Sequence, residues 1–395
     1  MIVVIIVICV ICLIYFTAAR VLPFPNATSF KTAFVSTLWF PGLPLSQRIG
    51  MLCYLARDLL LLPVWALFWV TDELLFSAYH KQQIEKPIFL FAQPRSGTTF
   101  LLRTLAADDN TFLSVKHLEW RYPYISFWKL VAMLGLTKRL EAKSYWPDTE
   151  IGRRCSKIHH HLLGNHEEFG IFLEERFYHH YFVFRRFPFP AVLDRVAAFD
   201  SLTAPEKRQL LDTFIKVVKK VYFHRGRGEI FLTKENECID LCRALIDKFD
   251  DPRIIMMCRQ PQPMLDSYLT MSINCTAVKH GVDPTRLPGW HETNIDFRRV
   301  QCRRFIAFAA DLKNSPTNAA LISFDTLTAD IKGTIKALYR QFRIPLSAAF
   351  AARLQALQQH QRTRNKGYSN LTCSEPDFEF YAAFVDAATS KGPSH

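Results

Sequence analysis

Residues 1–19, MIVVIIVICVICLIYFTAA, hold no charged side chain, and the first charge is Arg20. About 18–20 apolar residues suffice to cross the hydrocarbon core of a bilayer, so the run is expected to be a transmembrane anchor. A cleaved signal peptide would begin with a basic segment and carry a shorter apolar stretch. Ala18-Ala19 offers small residues for cleavage, but no Lys or Arg precedes the run, and a retained anchor is preferred. A second apolar stretch, 59–71 (LLLLPVWALFWVT), lies inside a longer segment from Met51 to Tyr79. It follows Arg57-Asp58, precedes Asp72-Glu73 and carries Pro63. It is short for a span. A helix lying on the membrane, a re-entrant hairpin and a buried helix of the soluble domain are all open. The interfacial helix is preferred, because Trp65, Phe68 and Trp69 suit a headgroup boundary.

From Lys86 the pattern changes. PIFLFA (87–92) is an apolar run of strand length, closed by the turn-like Gln93-Pro94. Phe100, Leu101, Thr104 and Leu105 then recur at helical spacing. The same alternation returns in GEIFLTKE (228–235) before CIDLCRALIDKF (238–249), and in PRIIMMCRQP (252–261) before QPMLDSYLTMSI (262–273). ALISFDTL (320–327) reads as a further strand, and DIKGTIKALYRQF (330–342) as its helix. Alternating strands and helices predict an α/β fold, with a mostly parallel sheet covered by helices on both faces. Segments 140–225 and 276–318 look mainly helical with basic faces, and 387–395 reads as a loose tail. The chain divides into an anchor (1–19), a membrane-proximal helical segment (20–85) and a globular domain (86–386).

With 395 residues the chain can bury a substantial core without metal or disulfide staples. Lys plus Arg number 49 against 36 Asp plus Glu, a net charge of +13. This points to an anionic partner but does not choose between nucleic acid, an acidic membrane face and a phosphorylated small molecule. The ten cysteines are scattered, with no zinc-ligand spacing. The basic residues Arg20 and Lys31 follow the anchor, which places the globular side in the cytoplasm by the positive-inside rule. The sequons at Asn26, Asn274 and Asn370 point weakly the other way.

The most informative stretch is AQPRSGTT (92–99), between strand and helix. Against the nucleotide P-loop G-x-x-x-x-G-K-[ST], Gly97 and Thr99 are in place, while Ala92 and Thr98 stand where the first glycine and the lysine belong. Gly97 allows a tight turn, successive amides point inward, and the helix N-terminus adds partial positive charge. Without the lysine, the loop suits one terminal phosphate rather than a magnesium triphosphate. Arg95 supplies a cation from within.

QPRSGTTFLLRTLA after an apolar strand resembles the 5′-phosphate loop of the sulfotransferase family, which uses 3′-phosphoadenosine 5′-phosphosulfate (PAPS). IIMMCRQPQPMLDSYLT is similar to the family's 3′-phosphate motif, placing Arg259 and Ser267 at its Arg and Ser. FLTKENE puts Lys234 at the lysine of the family's L-K-S-P strand end, although Glu235 and Asn236 replace Ser-Pro. The closing segment LISFDTLTADIKGTIKALYRQFRIPLS is also similar, so the resemblance covers roughly residues 86–350. It implies a broad, membrane-associated or bacterial-type sulfotransferase with a P-loop-like fold. Arg95, Ser96, Gly97, Thr98 and Thr99 would bind the 5′-phosphate, Arg259 and Ser267 the 3′-phosphate. Arg95 and Lys234 would be the catalytic cations. The logic of sulfuryl transfer requires no metal.

The base is sought in GNHEEF (164–169), with Glu167 preferred, then Glu168, then His166. A carboxylate raised by burial or a histidine near its ordinary pKa could take a hydroxyl proton. His159, His160, His161, His166, His179 and His180 invite a metal reading, but no H-E-x-x-H occurs and none is expected. The expected activity is sulfuryl transfer from PAPS to a hydroxyl or amine of a glycan, lipid or small molecule. The alternatives are a P-loop kinase or NTPase, and a non-catalytic membrane scaffold. The expected location is a membrane, single-pass, in the secretory pathway if eukaryotic or the inner membrane if bacterial. No nucleic-acid module is recognised.

Overall fold

The computed structural model describes residues 2–195, 199–236, 239–363, 369–372 and 376–390. Three helices come first: α1 (Ile2–Val21), α2 (Ala27–Trp39) and α3 (Leu45–Leu75). β1 (Ile88–Ala92) leads through the loop at 93–97 into α4 (Thr98–Ala106), then β2 (Phe112–Leu113). α5 (Ile125–Met133), α6 (Glu150–Ile158) and α7 (Ala204–Arg225) precede β3 (Ile230–Glu235). β4 (Arg253–Cys258), α8 (Pro261–His280), β5 (Asn318–Ser323) and α9 (Ala348–Thr363) follow.

The five strands form one parallel sheet in the order β2-β3-β1-β4-β5. β1 is central and buried throughout. Its alternate side chains enter two cores, as the strand pleat requires. Phe89 and Phe91 join the core that holds Phe214 and Phe231. Ile88, Leu90 and Ala92 join the core built on Leu101, Leu105 and Ile335. Helices therefore cover both faces, and ligand-binding loops are expected beyond the carboxyl ends of the strands.

The expected strands and helices are present, with three differences. The stretch at 320–327 is strand only to Ser323, and Phe324–Ala329 turns helical behind the Ser323 side-chain cap on Thr326. β2 is a two-residue edge strand too short to leave a pattern. The last helix runs Glu379–Ser390, so 387–390 is helical rather than loose, and 391–395 lies outside the described residues.

The N-terminal layer departs further. The apolar stretch 59–71 belongs to α3, a 31-residue helix continuous through Pro63. The pair Arg57-Asp58 does not end it, because Arg57 donates to Asp58 at 2.6 Å. α3 is long and apolar enough to cross a membrane, yet 33% of its most apolar window is buried. α1 packs on it through Ala18 and Leu22, and the Tyr15 hydroxyl donates to Leu59 O. The sequons lend no support to a lumenal domain. Asn26 is a buried helix cap, Asn274 is tied within α8 to Thr270 O, and Asn370 lines the cleft described next.

Candidate active site

A cleft of about 850 Å³ lies at the carboxyl ends of β1, β3 and β4. One wall is the loop between β1 and α4. Gly97 has φ +91, and a Cβ there would stand 2.4 Å from the Phe324 ring. Only glycine satisfies both the left-handed turn and this close approach. No side chain caps α4, so its first amides stay open towards the cleft. Arg95 also has positive φ, +66. That conformation turns its side chain away from the loop: Nε donates to Ser267 Oγ at 2.8 Å. Arg259 Nη1 closes the circuit by donating to Arg95 O at 2.8 Å, and its guanidinium stacks on Phe324. Residues some 160 positions apart in sequence are thus joined at one end of the sheet.

The opposite wall is a network of buried charge. Glu168 Oε2 accepts from Lys234 Nζ at 2.5 Å and from Asn236 Nδ2 at 2.7 Å. Asn236 in turn accepts from the Thr98 hydroxyl at 2.9 Å, which ties the two walls together. Glu167 Oε1 accepts from Arg103 at 2.8 Å and lies 3.5 Å from His159 Nε2 and 3.7 Å from His161 Nε2. Its other oxygen is 3.5 Å from Lys234. Both glutamates and Lys234 are buried.

Neighbouring carboxylates with the same burial are driven apart. Burial raises both. Around Glu167 it is outweighed by His161, Lys234 and His159, and the carboxyl is held well below the usual range. Glu168 goes up instead: burial, helped by Glu235 and Glu167, exceeds the pull of Lys234. Burial keeps His159 and His161 low, so the imidazoles are neutral at neutral pH. Burial and Arg121 push His117 down to about 3. Its Nδ1 is 2.8 Å from His161 Nε2, while its Nε2 has no hydrogen-bond partner.

The cleft gathers Arg95, Gly97, Thr98, Thr99, Arg259, Ser267, Lys234, Glu167 and Glu168. Ser96 is fully buried beneath the loop and its hydroxyl lacks a partner. His166 is not brought to this wall: its Nδ1 is held 3.0 Å from Ser114 O, and its backbone bridges to Lys116. Lys234 is not a solvated strand end but part of the ion network. Sequence reasoning passed over Asn236, Arg103 and His117. Asn236 had been visible only as a departure from a motif. Arg103 sits one helical turn beyond Thr99, on the helix that the loop starts.

Among the described residues one group could hold a metal ion, His159, His161 and Glu167. Its donors are already engaged. Arg103 donates to Glu167 Oε1, the oxygen nearest His159 and His161, and His161 Nε2 faces His117 Nδ1.

The family model of the sulfotransferase family matches residues 87–348, from the strand before the loop past β5. The chain belongs to the sulfotransferase family. It is similar to the crystal structure of sulfotransferase STF9 from Mycobacterium avium, with a TM-score of 0.61 at 14% identity, over 95% of this chain and 93% of that one. Sulfotransferase STF1 from Mycobacterium tuberculosis H37Rv gives 0.57 at 16% identity, over 92% and 93%. At such identities the likeness concerns the fold. No curated protein matches the chain. The sulfotransferase is thus an enzyme whose family implies a sulfonate donor and an acceptor, and its cleft must receive both.

Proposed function

We propose that this sulfotransferase moves the sulfuryl group of PAPS to a hydroxyl, or an amine, of a glycan, lipid or small-molecule acceptor, and that residues 1–19 tether it to a membrane. The observation that carries the donor assignment is the junction of Arg95, Arg259 and Ser267 beside the open N-terminus of α4. A nucleotide with phosphate groups at both ends needs two anion sites on one wall. The amides of Gly97 to Thr99 and the Thr99 hydroxyl suit the 5′ end, and Arg259 with Ser267 suits the 3′ end. The loop suits such a group: Gly97 supplies the left-handed turn at φ +91 that a side chain would strain and that Phe324 would block, and no side chain caps the start of α4.

PAPS, when bound, supplies an activated sulfonate and a phosphate leaving group. Lys234 is the cation held nearest the paired carboxylates and would offset charge that develops on the sulfonate oxygens, whereas Arg95, turned onto Ser267, places its charge on the side given to the 3′-phosphate. The role of base passes from Glu167 to Glu168. A carboxyl raised by burial takes a proton more readily than one held low by its neighbours. Glu167 positions the neutral imidazoles of His159 and His161. The far end of the cleft carries Tyr145, Trp146 and Tyr181 beside Glu174 and Arg185, a lining that suits a polar ring stacked on aromatic faces.

The test is transfer of labelled sulfate from PAPS in a screen of glycan, lipid and phenolic acceptors. Labelled product with one class supports the proposal. Magnesium-dependent release of phosphate from ATP, with no sulfate transfer to any class, would overturn it.

A further inference from the structure

The outward face of α3 has no role in the cleft. Leu45, Ile49, Leu60, Leu67, Leu74 and Leu75 are all exposed, with Leu60 at 71% and Leu74 at 75%. At about 3.6 residues per turn they fall within a sector of about 120°, so they form one stripe along a helix about 46 Å long. The opposite face of α3 is fixed to the protein along its whole length. Near its start, Gln47 donates to Gly281 O at 2.7 Å, and Met51, Tyr54 and Leu55 pack with Phe187 and Phe189. At its end, Asp72 accepts from the amides of Ile125 and Ser126 at 2.8 Å and faces Lys220 at 3.1 Å. A helix held at both ends and between them by one globular body runs along that body. Its free face can meet a bilayer only side-on.

Two neighbours extend the stripe. α1 contributes exposed Leu13 and Phe16, and residues 1–19 carry no charged side chain. Beside the end of α3, Phe127 of α5 packs on Phe68, and the last residue of α5, Met133 (77% exposed), projects with Leu134 of the turn that follows. The charges around this surface are one-sided. Arg20, Lys31 and Arg57 are exposed, and so are Lys129, Lys138 and Arg139 near the α5 turn. The acids of the layer are withdrawn: Asp58 and Asp72 are buried, and Glu73 is engaged by Tyr79 and His80.

We propose that α3, the exposed side of α1 and the turn after α5 form a docking surface for an anionic lipid leaflet, with α3 lying in the plane of the interface. The aliphatic stripe would sit among the first acyl carbons while the basic side chains reach the headgroups. A protein partner would be expected to meet a face richer in aromatic and polar groups. The tether at 1–19 is itself part of this surface, because α1 stays packed on α3, and the proposal is independent of the donor chemistry.

The experiment is flotation of the full chain with phosphatidylcholine vesicles, with and without phosphatidylserine. The double variants are Leu67→Asp/Leu74→Asp, Met133→Asp/Leu134→Asp and Lys138→Glu/Arg139→Glu. Far-ultraviolet circular dichroism and cooperative thermal unfolding verify that each is folded. Wild type should float with both vesicles, and more with phosphatidylserine. Each apolar pair should cut partitioning by about tenfold or more, and the charge-reversed pair should abolish the preference for phosphatidylserine. Floating of the apolar variants equal to wild type would overturn the proposal, since the tether alone would then suffice. So would a lipid-free dimer of wild type that the same variants dissociate, because the face would then belong to a second copy.

Discussion

The loop wall of the cleft is mostly backbone, whereas the facing wall is mostly side chain. The loop wall depends on a left-handed glycine, an uncapped helix start and one guanidinium bonded to a carbonyl. The facing wall depends on two glutamates, one lysine, one arginine and three histidines, all packed within hydrogen-bond or ion-pair reach. A backbone cradle is set by local sequence and has one geometry. A charge network is set by which segments the sheet brings together, and a small change of surroundings alters the state of each member.

Glu168→Gln should therefore have the largest effect on the facing wall, lowering turnover by about 100-fold or more while donor affinity stays near wild type. The rate of labelled sulfate transfer measures it. Because the Glu168 pKa is raised, wild-type turnover should also fall as pH drops and the carboxyl takes up its proton. A Glu167→Gln loss as large, with Glu168→Gln active, would reverse the roles. On the loop wall, Arg259→Ala should weaken PAPS by about 2 kcal/mol, roughly thirtyfold, because a charged hydrogen-bond partner is removed. Adenosine 5′-phosphosulfate, which lacks the 3′-phosphate, should lose much less, and competition binding separates the two. Gly97→Ala should cost about 1–2 kcal/mol of stability in thermal unfolding, through strain at φ +91 and the clash with Phe324.

The effect on acid stability is spread thinly over several pH units. His117 ordinarily titrates near 6.5 and is pushed down to about 3 by burial. Between those values the unfolded chain binds the extra proton, so stability falls as pH falls through this window. The contribution is at most about 1.4 kcal/mol per pH unit. Thermal unfolding against pH should show a shallower acid slope for His117→Gln, and an unchanged slope would remove His117 from the network's account.

The loop wall was legible in the sequence because Gly97, Thr98 and Thr99 reach the cleft from where they stand in the chain, directly after an apolar strand. Arg259 and Ser267 were legible by spacing along β4 and α8. The facing wall was only half legible. Glu167 and Glu168 were both marked, but adjacent letters carry no information on which one meets Lys234 and Asn236 and which meets Arg103 and the histidines. His166 stood third among the candidates, and extended backbone there sends it towards Ser114. The length of α3 was hidden for a related reason: Arg57-Asp58 reads as a boundary in sequence, whereas in the fold the pair neutralises itself and the helix continues.

The central claim is that the loop wall recognises a nucleotide through two separate phosphate sites. Calorimetric titration of the full chain with adenosine 3′,5′-bisphosphate, and separately with ATP and magnesium, tests it most directly. The account predicts that the bisphosphate binds tightly, without metal, and that ATP binds weakly. Tight magnesium-dependent binding of ATP with no heat from the bisphosphate would contradict it.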